Sequence, residues 1–271
     1  MKILITGATG FIGKAVGSLL EQCGHDLVSV SLSGWWRNGL PAEVDAPYDA
    51  IIHCAWGGVD AAGRNDFELQ QQNIDLFSQL LHRSAMAGTK AFISFGSQAE
   101  IYQPETHYGA AKLECQRLMK HVGELGKMRC VWLQLFSVYG EGQGEQWLIP
   151  GLIRKLLANL PIDLTPGDQR MDFLHVRDVA LAVLSVLTCD VRGVYEVGSG
   201  HEHSLLQVAE FLHALTFSSS LLNWGAIPYR ADQVMLACAD PYDFHSATGW
   251  QPRTDFIVGL RDTIKHIKAH V

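Results

Sequence analysis

Tyr108 and Lys112, in the run Y-G-A-A-K, place a phenol and an ammonium one helical turn apart. Such a pair can move a proton: a phenol with a pKa of about 10 exchanges protons poorly at neutral pH, and an adjacent ammonium favours its phenolate. If His107 to Val122 is a helix at about 100° per residue, Ala111, Cys115, Leu118, Met119 and Val122 share one apolar sector. Tyr108 and Lys112 lie on that side, whereas Glu114, Arg117 and Lys120 fall outside it. A lysine on a buried face must shed water, which is unfavourable unless something compensates it. The alternative is a lysine that snorkels past the rim of the core.

A second constellation lies at the start of the chain. Gly7, Gly10 and Gly13, in G-A-T-G-F-I-G, follow the strand-like K-I-L-I-T and open a helix, with Thr9, Phe11 and Ile12 completing the turn. Glycine lets the backbone turn tightly and approach a pyrophosphate, whose charge is stabilised by helix N-terminal amides. The same spacing also arises in any sharp strand-to-helix turn. At the end of the second strand an acid would accept bonds from a ribose 2′-hydroxyl and repel a 2′-phosphate. Here the strand reads L-V-S-V-S-L-S, so Ser31 or Ser33 stands where the acid would be, and Arg37 follows. This favours NADP(H), with NAD(H) as the alternative, although Arg37 reads equally well as an ordinary surface arginine.

Short apolar strands alternate with helical patterns through the first half: strands near Lys2, Leu27, Ala50, Ala91 and Cys130, helices near Lys14, Phe67 and Tyr108. That order predicts an α/β fold with a doubly wound parallel sheet of the Rossmann type. Strands such as I-I-H-C-A are apolar at nearly every position, as expected when helices cover both faces. Ser33 to Tyr48, with two tryptophans, two glycines and two prolines, is too broken for a full strand and helix, which predicts a shortened crossover. Beyond Tyr139 the pattern loosens into a smaller interleaved C-terminal substrate-binding lobe, with helices expected at Leu148 to Ala158, Leu205 to Leu215 and Phe256 to His270.

A chain of 271 residues, 48% hydrophobic and 18% charged, can bury a large core. A formal net charge of -7 argues against nucleic acid and anionic membrane as partners. The six cysteines lack a C-x-x-C spacing, which points to a reducing, cytoplasmic setting. The strand-like start leaves no room for a signal peptide, and Val179 to Leu187 is too short to span a bilayer. His201 and His203 flank Glu202 on a loop, but no metal is expected.

Together with H-C-A-W at His53 to Trp56, Asn73, the G-S-Q-A-E loop at Gly96 to Glu100, and L-F-S-V-Y-G at Leu135 to Gly140, these motifs give the chain its likeness. It resembles the extended short-chain dehydrogenase/reductase family, in the branch of nucleotide-sugar epimerases, dehydratases and ketoreductases. D-F-L-H-V-R-D-V-A at Asp172 to Ala180, V-Y-E-V-G-S-G at Val194 to Gly200, Pro228 to Arg230 and T-G-W-Q-P at Thr248 to Pro252 match in order, so the resemblance covers nearly the whole chain. It implies a catalytic set of Ser97, Tyr108 and Lys112, with Lys112 also bonding the nicotinamide ribose. Tyr102 follows Ser97 by five residues where four is more frequent, so Ser97 or Gln98 holds the substrate oxygen. Ala55, Trp56, Asn73 and Phe136 are implied on the cofactor; Ser137, Arg170 and Arg230 are implied on the diphosphate of a nucleoside-diphosphate sugar. Gln134 and Met171 stand where arginines are common, and Glu196 replaces a frequent asparagine. The implied division is 1–140 with 171–198 for the dinucleotide and 141–170 with 199–271 for the sugar nucleotide. The implied assembly is a homodimer through the Phe67 and Tyr108 helices.

Dehydratases of the branch follow the catalytic threonine with an Asp-Glu pair, whereas this chain has Gln98 and Ala99, or Ala99 and Glu100 in the other register. The expectation is therefore an NADPH-dependent reductase of a 4-keto-6-deoxy sugar nucleotide. The alternatives are a 4-epimerase with tightly held NAD and a non-catalytic dinucleotide-binding regulator.

Overall fold

The computed structural model describes residues 1–126 and 128–270, and of Trp36 and Arg37 the backbone alone. The chain forms two compact units: Met1–Leu135, Val179–Val197 and Pro241–Trp250 make the first; Phe136–Asp178, Gly198–Asp240 and Gln251–Val271 make the second.

The chain begins with β1 (Lys2–Thr6), α1 (Phe11–Gln22), β2 (Asp26–Val30), α2 (Trp35–Asn38), β3 (Ala50–His53), α3 (Ala61–Arg64) and α4 (Phe67–Met86). There follow β4 (Ala91–Ser97), α5 (Ala99–Tyr102), α6 (His107–Glu124) and β5 (Arg129–Leu135). The second unit starts with β6 (Ser137–Tyr139), α7 (Leu148–Leu157), β7 (Ile162–Asp163) and β8 (Arg170–His175). Next come α8 (Val176–Thr188), β9 (Gly193–Val197), β10 (Glu202–Ser204), α9 (Leu205–Thr216), β11 (Leu222–Asn223) and β12 (Leu236–Ala237). The chain closes with α10 (Tyr242–Thr248) and α11 (Phe256–Lys268).

Six parallel strands of the first unit run in the order β2-β1-β3-β4-β5-β9. β3 and β4 are buried at every position, the signature of a sheet covered on both faces. Phe77 of α4 meets Phe92 and Trp132 edge to face, each at 5.8 Å between ring centroids. The shortened crossover is real: among the described residues, α2 and a single turn of 3₁₀ helix at Ala42–Asp45 are all that lies between β2 and β3, and no strand is added beyond β2. Leu40, Val44 and Tyr48 instead pack into the core that α4 covers, and Arg83 of α4 holds Asp45 and the Leu40 carbonyl.

The junction of β8 and α8 escaped the sequence pattern. β8 passes directly into α8 with no Gly or Pro between them, so the strand and helix carry no boundary signal. The apolar run from Val179 is the buried face of α8, and among the described residues no helix is long and apolar enough to cross a membrane. Residues 136–140 and 171–178, placed by sequence with the dinucleotide, lie in the second unit, and Pro241–Trp250, placed by sequence in the second lobe, lies in the first, where Phe244 packs on Tyr195 of β9 at 5.4 Å and on Trp250 at 5.3 Å.

In the second unit β8 pairs with β6, β10 and β12, and α7, α9 and α11 bury Ile153, Leu156, Val208, Leu212, Leu260 and Ile264. Asp172 of β8, fully buried, accepts from the Ser199 amide and hydroxyl at 2.8 and 2.6 Å and from the Gly200 amide at 2.9 Å. Removing a buried acceptor that satisfies so many donors leaves those groups unpaired, at about 1–3 kcal/mol each. Asp172→Ala should therefore destabilise the protein by at least about 3 kcal/mol, read as a lower urea midpoint; an unchanged midpoint would contradict this role.

Candidate active site

α6 begins at an N-cap, Thr106, whose hydroxyl accepts from the Gly109 amide at 3.1 Å. The helix buries Tyr108, Ala111, Lys112, Cys115 and Met119 and leaves Glu114, Arg117 and Lys120 exposed. Lys112 is 6% exposed and does not snorkel. Its ammonium turns inward, donates to the Phe95 carbonyl at 2.8 Å and stands 3.5 Å from the centroid of the Trp56 ring. Burial pushes it down to about 8, against the opposing pull of Glu100.

Tyr108 is buried beside it, its ring edge to face with Trp56 at 6.2 Å. Burial pushes the phenol up; the charge of Arg64 and a hydrogen bond with Ser97 oppose this, and Glu100 adds to it. Ser97, the last residue of β4, also accepts from the Ala99 amide at 3.2 Å, so it is at once a turn serine and a neighbour of the phenol. Gln98 opens α5, donating its amide to the Leu135 carbonyl at 2.8 Å. Its side-chain Oε1 is buried and finds no donor among the described residues.

Glu100 is not a solvent-facing acid. Its carboxylate accepts from the Ser97 amide at 2.6 Å, Gln116 at 2.8 Å, and Trp132 and Gln134 at 3.0 Å. Four donors are what an ionised carboxylate needs. Burial raises its pKa, and the Ser97 amide, the Lys112 charge and the side-chain donors counter that. Sequence reading missed this role because Trp132 and Gln134 reach Glu100 of α5 from β5, more than thirty residues away in sequence. It likewise missed Arg64, whose guanidinium carbon lies 4.6 Å from the centroid of the Tyr108 ring. No spacing in the sequence joins Arg64 to Tyr108; the fold alone brings them together.

The glycine turn is built for close approach. Gly7 has φ +68 and a Cβ there would lie 2.7 Å from the Ala55 nitrogen; on Gly13 it would lie 2.1 Å from the Gly7 carbonyl oxygen. No side chain caps α1, which leaves its first amides to an anion. Beside this turn is a cavity of about 650 Å³, lined among others by Gly7, Thr9, Gly10, Ser31, Ala55, Trp56 and Asn73. Phe11, Ile12 and Gly13 form the helix start and are not in the lining. Asn73 is engaged with the backbone of Gly57, accepting at 3.0 Å and donating at 2.9 Å. Ser31 accepts from the Ser33 amide at 3.3 Å. The side chain of Arg37 lies outside the described residues. His53 bonds Thr6 at 2.8 Å and is held neutral by burial, at a pKa of about 3. A nicotinamide dinucleotide fits this donor-rich turn and the cavity beside it.

The first unit thus gathers Ser97, Tyr108, Lys112 and Trp56. Phe136, Ser137, Arg170 and Arg230 belong to the second unit. Phe136 is buried and Ser137 half-buried on β6. Arg170 opens β8 and lies 3.4 Å from Glu202, and Arg230 lies 3.9 Å from Asp232, so both guanidiniums have a carboxylate beside them. His266 and His270 form an H-x-x-x-H pair, a spacing that sequence reading wrongly held to be absent, with their ring centroids 4.3 Å apart. Among the described residues no cluster of three His, Cys, Asp or Glu side chains could hold a metal.

The chain is 30% identical to CDP-abequose synthase of Salmonella muenchen, over 96% of each chain. It is 22% identical to dTDP-4-dehydro-6-deoxyglucose reductase of Escherichia coli, over 98% of each. Among solved structures, UDP-glucose 4-epimerase of Thermotoga maritima superposes with a TM-score of 0.87 at 20% identity, over 100% of this chain and 99% of that one. That of Thermus thermophilus in complex with NAD superposes with a TM-score of 0.86 at 22% identity, over 100% of both. Residues 3–198 match the sequence model of one family, and the chain belongs to it: the NAD dependent epimerase/dehydratase family.

Proposed function

We propose that this protein is an NADP(H)-dependent reductase of a 4-keto-6-deoxy sugar carried on a nucleoside diphosphate. The observation that carries the reading is the buried triplet of Ser97, Tyr108 and Lys112 beside a dinucleotide-sized cavity. Similarity to a CDP-abequose synthase and a dTDP-4-dehydro-6-deoxyglucose reductase supports the substrate class. Serines 31 and 33, with no acid at the end of β2, favour the phosphorylated dinucleotide. The inward turn of Glu100 disfavours dehydration, since that carboxylate is spent on four internal donors.

In this reading Ser97 holds the sugar carbonyl oxygen and Tyr108 donates its proton to it. The carbonyl π pair moves onto oxygen as hydride adds at carbon. The dihydronicotinamide, when bound, supplies that hydride. Lys112 stabilises the phenolate that Tyr108 becomes. Arg170 and Arg230 are proposed for the diphosphate, by exchanging their present carboxylate partners for phosphate oxygens.

NADPH consumption with a panel of CDP-, dTDP- and UDP-linked 4-keto-6-deoxy sugars tests the reading. Turnover on bound NAD without NADPH loss would instead establish an epimerase. Tyr108→Phe should lower turnover by about a hundredfold to ten-thousandfold while leaving dinucleotide binding intact; activity near wild type would remove Tyr108 from the chemistry. Because the charged form of Lys112 is the useful one and burial sets its pKa at about 8, turnover should fall as pH rises through about 8. Glu100→Gln deletes the negative charge that holds the proton on Lys112, so that alkaline limb should move to lower pH; a limb that stays in place would exclude the coupling.

A further inference from the structure

The loop of residues 57–65, between β3 and α4, is fixed by several independent contacts. Gln70 donates to the Gly58 and Gly63 carbonyls at 3.0 and 2.8 Å, and Asn73 bonds both backbone groups of Gly57. Asp60 caps α3 by accepting from the Gly63 amide at 2.8 Å. Gly58 and Gly63 touch so closely that a Cβ on Gly63 would lie 2.3 Å from the Gly58 Cα. What this rigid loop presents is Arg64. Its Nε donates to the Val59 carbonyl at 2.8 Å, and its guanidinium lies against the Tyr108 ring.

A guanidinium over a phenol is drawn to the π face, and the attraction strengthens when the phenol loses its proton and negative charge spreads into the ring. We propose that Arg64 is a positioning residue for proton transfer: from 4.6 Å over the ring it acts with Lys112, 5.9 Å from the same centroid, to stabilise the Tyr108 phenolate. The inference rests on Tyr108 as the proton donor, as proposed above. Among the described residues, the charged groups acting on or lying over Tyr108 are Arg64 from α3, Lys112 from its own helix and Glu100 from α5; Ser97 and Trp56 lie beside it without charge. The thiols near Lys112, Cys54 and Cys115, are pushed up to about 12 by burial and stay neutral. Against burial and Glu100, both of which resist ionisation, Arg64 is the largest opposing influence on the phenol. The same guanidinium also acts on Lys112, whose pKa it lowers while Glu100 raises it.

The phenolate absorbance of the full chain, titrated with pH and corrected by the matching Tyr108→Phe protein, isolates Tyr108. Arg64→Gln removes the charge but retains an N–H for the Val59 carbonyl, and Arg64→Met is a second neutral variant. Both should raise the Tyr108 midpoint by about one pH unit or more, whereas Arg64→Lys should stay near wild type. No upward shift in a folded neutral variant, or an equal shift in Arg64→Lys, overturns the proposal. If one neutral variant fails to fold, the other decides, together with the lysine protein. The titration requires no turnover, so its failure removes Arg64 alone, while activity retained by Tyr108→Phe removes the catalytic reading on which the role depends.

Discussion

The ammonium of Lys112 sits among apolar side chains, and the water it has lost must be replaced by fixed partners. The Phe95 carbonyl and the face of Trp56 provide two of them, and the charge of Glu100 acts at longer range. Each partner carries its own requirement. Glu100, itself buried, needs donors from β5 and α6, and Trp56 needs its indole N–H satisfied, which Gln70 does at 3.0 Å. The result is that β4, β5, α4, α5 and α6 are tied to one charge, and the position of the Ser97 amide is set by the carboxylate that balances it.

Gln134 gains meaning in that network. The resemblance leads to the expectation of an arginine at this place, whereas here a neutral amide donates to Glu100. An arginine would neutralise the carboxylate locally. With only neutral donors close to Glu100, its charge remains to act on Lys112, the one cation that lowers its pKa among the influences on it. The neutral side chain of Gln134 thus leaves the charge of Glu100 coupled to the buried ammonium of Lys112.

Much of this was visible in the sequence where the code is local. The 100° sector of α6 placed Tyr108 and Lys112 inward, the glycine spacing marked the turn before α1, and the broken segment after β2 announced the short crossover. Whether Ser97 or Gln98 stands beside Tyr108 was not local, because it depends on where β4 ends; the strand runs through Ser97, and Gln98 starts the next turn. Glu100 with Trp132 and Gln134, and Arg64 with Tyr108, are joined only by folding, so no periodicity could reveal them. The β8 to α8 junction was hidden for a different reason: nothing punctuates it.

Among the described residues β2 forms one rim of the six-stranded sheet, with no strand beyond it. An unpaired strand at the rim of a sheet is a template on which another chain can add. β2 is only five residues long, opens on the exposed Asp26 and also exposes Ser29, while its last residue, Val30, is buried. A short edge that begins with a charge is a poor starting point for intermolecular pairing, so the short crossover does not leave the sheet with an adhesive border.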